Sequence, residues 1–317
     1  MDLKAIGEFG LIDRIREGAQ APDGIVGIGD DCALIPQKTG MSTLVTTDML
    51  VEGTHFLTED ASAYDIGWKS AAVNISDIAA MGGRPVGSFL AFALPASSET
   101  GWVDEFMRGY RDVSALSGTA LLGGDTTRTP DRMCICVTVV GECVREKAVL
   151  RSGARPGDLI CVSGCLGDSA GGLRVILDGI ERGDDESELV RRHYMPVPRV
   201  REGMSIAACG ASAMMDISDG IGSDLSHILD ASSVGAEIDC SLIPVSGCLL
   251  RCAAAHGWDV ESLAVDGGED FELLFTISPE DEHRLEVNHT VIGRILPGKG
   301  IRWLNSGGGR HSGYRHF

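Results

Sequence analysis

The chain has 317 residues, 44% of them apolar, and 46 Asp plus Glu against 27 Lys plus Arg give it a formal charge of −19. Such a surface repels phosphate backbones and anionic membranes at long range, which argues against nucleic acid and membranes as partners but leaves room for a small phosphorylated ligand held through metal. The length predicts two domains, 1–150 and 151–317, parted at the Gly, Pro and charge-rich RSGARPGD that begins at Arg151.

In chain order, GIGDDCALIP (residues 27–36) sets Asp30 and Asp31 between glycines and an apolar run, a pattern that suits a solvated turn as well as a ligand pair. TLVTTDMLV follows as a strand in which the run LVTTD closes on Asp48. From Asp65 to Gly83, Ile66, Val73, Ile78 and Met81 recur at helical spacing and predict a buried helix over 65–81, with Asn74 and Asp77 on one face. A buried mid-helix aspartate must be paired, by a hydrogen bond, a salt bridge or a cation. VGSFLAFAL then reads as a strand, ETGWVDEFMRGYRDVSAL as a helix, ALLGGD as a run closing on Asp125, and CICVTVVGECV as a strand.

The second half opens with DLICVSG as a strand and continues with a helix from about Asp168 and another from near Pro198. AMMDISD delivers Asp216 and Asp219 from a strand; helices through LSHILDAS and CLLRCAAAHG and the strand FELLFTI complete the series. This alternation predicts an α/β fold of two α/β domains. In SGCLGDSAGGL (residues 163–173) the glycines suit an anion at a helix N-terminus. The stretch lacks the GK[ST] ending of a phosphate loop, and a plain strand-to-helix turn accounts for it.

Ten cysteines without a C-x-x-C pair predict reduced, structural thiols. The segment MDLKAIGEFGLIDRI lacks the basic and apolar regions of a signal peptide, and no apolar run reaches about 18 residues, so a cytoplasmic protein is expected.

Open α/β sheets build their sites beyond the carboxyl ends of strands, which is where the aspartates recur. If Asp30, Asp48, Asp77, Asp125 and Asp216 converge, each pair about 4 Å apart repels by about 4 kcal/mol at an effective dielectric near 20, so a cation must sit among them. Oxygen ligands without cysteine or histidine select a hard cation, Mg²⁺ above all, which completes its shell with water and substrate phosphates. The chemistry implied is phosphoryl transfer or hydrolysis. Thr46, Thr47 and Ser218 put hydroxyls beside these carboxylates, although threonine is equally an ordinary strand residue.

The motifs GIGDDCA, TTDMLVEGTHF, VNISDIAAMGG, LLGGDTTR, RSGARPGD, MDISDGI, GGEDFELLF and the terminal GYRHF, in that order over essentially the whole chain, resemble the thiamine-monophosphate kinase family of the aminoimidazole-ribonucleotide synthetase superfamily. The resemblance implies ATP-dependent phosphorylation of thiamine monophosphate to thiamine diphosphate with several Mg²⁺ ions. It also implies a homodimer whose N-terminal domains join strands across the two-fold axis. By the same resemblance Asp30, Thr46, Thr47, Asp48, Asp77, Asp125 and Asp216 ligate metal, and Asp219 holds a further ion. Gly124, Asp125, Arg151 and Ser218 would face ATP, and His55, Glu269 and Tyr314 would contact thiamine monophosphate. Without the family, His55 is equally a surface residue beyond a strand, and Glu269 equally the start of FELLFTI. Tyr314 stands where many members carry tryptophan, and a phenol ring still stacks. Met107 and Tyr110 are the residues considered for packing adenine. A phosphate monoester acceptor is already largely ionised near neutral pH, so no general base is expected. The competing readings are aminoimidazole-ribonucleotide synthetase itself and a non-enzymatic cation-binding module.

Overall fold

The computed structural model describes residues 30–31, 33–36, 39–95, 97–307, 311 and 313. Strand β2 (Met41–Val51) buries Ser42, Leu44, Thr46 and Leu50 and exposes Thr47 and Met49, the period of two that lays one face on a core. It pairs antiparallel along its whole length with β5 (Cys134–Val144), from Met41↔Val144 to Val51↔Cys134. With β1 (Ala33–Pro36), β3 (Arg84–Pro95) and β4 (Ala120–Thr129) these strands form a five-stranded sheet of order β1-β2-β5-β3-β4. The β3–β4 pair is parallel and needs a crossover, supplied by helix α2 (Thr100–Ser117).

Helix α1 (Ala63–Ala80) starts in a capping box between Ser62 and Asp65. It is buried nearly all round, as its small and apolar composition requires. Its backbone meets that of α2 directly: a Cβ on Gly67 would stand 2.0 Å from the Phe106 carbonyl oxygen, and one on Gly109 2.0 Å from that of Tyr64. Rings from β3 and α2 fill the adjoining core, with Phe92 and Phe106 centroids 4.5 Å apart. Tyr110 is wholly enclosed there and presents no face to a nucleotide.

The second sheet has the order β11-β8-β10-β6-β9-β7. Its strands are β6 (Leu159–Val162), β7 (Ala213–Asp216), β8 (Gly235–Asp239), β9 (Leu273–Ile277), β10 (Thr290–Leu296) and β11 (Gly300–Leu304). Around it lie α3 (Asp168–Leu177), α4 (Asp184–Tyr194), α5 (Val200–Cys209), α6 (Ile221–Ser232), α7 (Gly247–His256), α8 (Val260–Asp266) and the single turn α9 (Pro279–Glu282).

Sequence reasoning passes over α4, β8, β10 and β11. Helix α4 buries only Leu189, Val190, His193 and Tyr194, a stripe too narrow to show in so charged a segment. The three strands are short and interrupted by glycine and charge. A further correction concerns where the aspartates leave the sheet. β2 runs on past Asp48 to Val51 and β4 past Asp125 to Thr129, because β5 and β3 continue to pair with them. Both carboxylates leave from strand interiors, and Asp216 alone of the three ends its strand.

Candidate active site

Helix α1 organises the site, since its side chains reach both sheets. Lys69 and Ser76, seven residues apart, share a face. The Lys69 ammonium donates to Glu269 at 2.9 Å, and the Ser76 hydroxyl donates to Asp216 at 2.5 Å. On the side toward the first sheet, the Asn74 amide oxygen accepts the Asp48 backbone N–H at 2.9 Å, while the Thr46 hydroxyl donates to Asp77. Eight residues of rise from Lys69 to Asp77 span about 12 Å, on the scale of a triphosphate tail.

The carboxylates gather at the C-terminal half of α1. One oxygen each from Asp31, Asp77 and Asp216 lies within 4.8 Å of the others. Asp31 brings its charge to this group, while Asp30 accepts the Arg151 backbone N–H at 2.6 Å. The Arg151 guanidinium donates to one Asp31 oxygen at 2.6 Å, and the other oxygen, buried, has no hydrogen-bond partner among the described residues.

Burial, together with the nearby Asp31 charge, pushes Asp48 up to about 6 and Asp216 to about 7. Burial and the charges of Asp48, Asp216 and Asp31 hold Asp77 well above the carboxylate range. Asp30 rises to about 6 through burial, opposed by the Arg151 N–H. The guanidinium is itself held above its ordinary value: burial works against its charge, and the carboxylates of Asp31, Asp30 and Asp216 together outweigh burial. A cation among such groups favours their ionised forms and relieves their mutual repulsion, and an all-oxygen donor set with an orphaned buried oxygen suits a hard divalent ion.

A second polar cluster surrounds Lys69, which is almost fully enclosed and lies 5.8 Å from the Tyr194 ring centroid. Glu269 adopts the left-handed backbone region (φ 60°) just before β9 and meets Lys69 and, at 3.6 Å, His193 Nδ1. Burial alone would raise Glu269, but the Lys69 ammonium outweighs it and holds the carboxyl below its usual range. His193 is driven down to about 3 by burial and by Lys69, so it is a neutral imidazole sharing a hydrogen bond of 3.0 Å with the Ser169 hydroxyl. His55 Nδ1 also accepts the Val51 N–H at 3.0 Å. Sequence reasoning reaches His55 and Glu269 but misses Lys69 and His193, whose partners are remote in the chain.

The remaining candidates fall in three places. Ser218 and Asp219 occupy the turn after β7, where both backbone N–H groups donate to Asp224 at 3.1 Å. Asp224 is a buried acid that sequence reasoning did not single out, raised well above its ordinary value by burial and by Asp219 and Asp216. Thr47 lies on the exposed face of the first sheet, bonded to Thr138 and the Val137 carbonyl, and Asp125 with Gly124 lies on the exposed edge strand β4. These three are not brought to the carboxylate group within one chain. Tyr314 lies outside the described residues. In SGCLGDSAGGL the N–H groups of Gly167 and Ser169 are taken by Asp270, at 2.7 and 3.1 Å, so the N-terminus of α3 already holds an internal carboxylate.

Two family models match the chain: "AIR synthase related protein, N-terminal domain" over residues 29–143 and the corresponding C-terminal domain over 155–302. Among curated relatives, the thiamine-monophosphate kinase of Escherichia coli K12 is 41% identical, covering 89% of this chain and 86% of that protein. The Aquifex aeolicus enzyme of the same name is 36% identical and covered in full on both sides. Among solved structures, AaThiL complexed with AMPPCP and TMP superposes with a TM-score of 0.92 at 36% identity, covering 100% of this chain and 99% of that one. Thiamine-monophosphate kinase from Stenotrophomonas maltophilia K279a matches with a TM-score of 0.78 at 39% identity, over 93% and 96% of the two chains. With its carboxylate group on α1, its two polar clusters and these similarities along its length, the chain belongs to the thiamine-monophosphate kinase family of AIR synthase related proteins.

Proposed function

We propose that this chain transfers the γ-phosphoryl group of ATP to the phosphate of thiamine monophosphate, giving thiamine diphosphate and ADP. The observation that carries the reading is the buried group of Asp31, Asp77 and Asp216 with its orphaned Asp31 oxygen, in a chain of this family. Those residues with Asp48 would hold Mg²⁺, which when bound neutralises the phosphate oxygens of the nucleotide.

The chain's own groups position the reactants. Arg151 holds Asp31 in place and leaves its buried Nε without a hydrogen-bond partner among the described residues. Ser76 and Thr46 fix the Asp216 and Asp77 carboxylates by direct hydrogen bonds and Asn74 fixes the Asp48 backbone, so the acidic group is pre-formed. The acceptor oxygen is already an anion at neutral pH, and the transfer is direct and in line without a general base. The Glu269 carboxylate, kept ionised by Lys69, is suited to a cationic thiamine ring, and His55 and Tyr314 complete that end of the reading.

Thr47, Gly124 and Asp125 enter through a homodimer. The first sheet leaves Phe89 on β3 and Leu121 and Leu122 on β4 exposed at 42%, 42% and 58%, and β4 is a long free edge, a combination that a second copy would cover. The division near residue 150 into two domains is supported by the two sheets, whose strands come from either side of it. Among the described residues no helix is long and apolar enough to cross a membrane. Residence in the cytoplasm belongs to the same reading and is supported by the cysteines among the described residues, all of them free.

Incubation with ATP, Mg²⁺ and thiamine monophosphate, followed by chromatography, should show thiamine diphosphate and ADP in equal amounts. Failure to form thiamine diphosphate with folded, dimeric protein refutes the assignment, and a phosphorylated enzyme on the path refutes direct transfer.

A further inference from the structure

A third cluster lies where His311 packs against Trp303 of β11, apart from the carboxylate group on α1. Cys240 opens a 3₁₀ turn directly after β8, Glu261 stands in the first turn of α8, and His311 belongs to the segment beyond β11. One Sγ, one carboxylate oxygen and one imidazole nitrogen from these three lie within 4.8 Å of one another.

The imidazole is the most constrained member. Its side chain is only 3% exposed, and its ring sits 4.6 Å from that of Trp303. Nδ1 lies 3.1 Å from an Asp266 oxygen. An ionised carboxylate only accepts, so Nδ1 faces Asp266 as a donor, while Nε2 lies 3.1 Å from the Ser306 hydroxyl and 3.3 Å from a Glu261 oxygen, contacts that an ion at Nε2 would replace. A carboxylate behind a histidine in this way fixes the tautomer that metal ligands use. Glu261 is also held by the Gly307 N–H at 3.0 Å from both its oxygens and by the Ser306 hydroxyl, which donates to it at 2.5 Å and bridges it to His311 Nε2.

Bond lengths of about 2.0 to 2.3 Å to nitrogen, oxygen and sulfur make the edges of a zinc tetrahedron roughly 3.3–3.6 Å. The nitrogen–oxygen separation of 3.3 Å already equals one such edge. A thiolate with an imidazole disfavours Mg²⁺ and favours a borderline-soft ion. Cys240 and Glu261 also border a cavity of about 200 Å³ lined otherwise mainly by apolar side chains, and the Ser306 hydroxyl stands within reach as a fourth oxygen ligand.

We infer that Cys240, Glu261 and His311 bind a zinc ion, which ties the segment after β11 to α8 and to the end of β8. Binding replaces the thiol proton of Cys240, and the proton that His311 Nε2 directs at Ser306 and Glu261, with the metal and releases both to solvent. Asp266 is a positioning residue for His311 and does not touch the ion.

The test uses the full chain freed of metal with a chelator and titrated with Co²⁺, followed by displacement with Zn²⁺. The expected result is a thiolate-to-cobalt charge-transfer band that saturates at one ion per chain, is lost on adding Zn²⁺, and is absent in Cys240→Ser. His311→Ala should lose the band as well, and Asp266→Asn should weaken zinc affinity by about 10–100-fold while keeping the band, the effect typical of an outer carboxylate. Circular dichroism establishes that each variant is folded. Cobalt that binds without the band occupies oxygen sites only and overturns the inference, as does a band that survives in folded Cys240→Ser. If His311 merely forms an ion pair between Glu261 and Asp266, wild-type protein gives no band, which equally overturns it.

Discussion

Replacing Asp216 by Asn should strengthen the metal-free protein while abolishing turnover. The folded carboxyl titrates at about 7 against 3.8 when unperturbed, because it is buried and faces Asp31. Between those two values the folded state binds more protons than the unfolded state, so stability falls as pH rises. The contribution is fully present below about 4 and lost as pH passes 7. At pH 8 the ionised group costs roughly 4 kcal/mol. Asparagine keeps an acceptor for the Ser76 hydroxyl and removes the charge. Asp31 and Asp48 respond to that removal, so the measured gain should be about 2–4 kcal/mol at pH 8, shrinking to less than half at pH 5. Urea unfolding in the presence of chelator measures both values, and saturating Mg²⁺ should restore wild-type stability preferentially. An Asn variant less stable than wild type at pH 8 without metal, or equally stabilised at pH 5 and pH 8, refutes the electrostatic account.

Lys69→Met strips the buried cation from Glu269 and His193 and should cost about 3–5 kcal/mol in urea unfolding, the range for a broken buried pair. Adding Glu269→Gln to that variant should return much of the loss, and a simply additive double variant would show that the two groups do not depend on each other. Gly124→Ala would set a Cβ 1.9 Å from the Leu90 carbonyl oxygen at φ +153°, so a loss of about 2–4 kcal/mol from separated β3 and β4 is expected, and an unchanged melting temperature contradicts it. Leu122→Glu should convert a dimer to monomer in light scattering behind a sizing column, and a dimer that persists rules out this face as the interface.

The acidic character of the site, the α/β alternation and the burial of α1 are legible in the chain because they depend on periodicity and on residue type. Asp77 is a telling case: an acid within an apolar helical pattern must have a partner, whatever the fold. Which partner is another matter. Thr46 is 31 residues away in the chain and Asp216, the acid beside it, arrives from the other sheet. Lys69 reads as one more helical residue, and only the left-handed turn at Glu269, 200 positions later, makes it the cation of a second cluster. Local pattern likewise marks Asp30 and Asp31 alike, and the direction of the backbone at Arg151 decides that the second of them faces the other carboxylates.

Sequence alone thus determined the chemistry available to this protein: many hard oxygen ligands, few cations, and the order of motifs that identifies its family. The tertiary structure decided the grouping, separating Thr47 and Asp125 onto an open sheet face and edge and drawing Cys240, Glu261 and His311 together. The physical reason is that strand and helix periods specify which side of an element a residue occupies, whereas strand register and helix packing, set by the whole core at once, specify what it meets there.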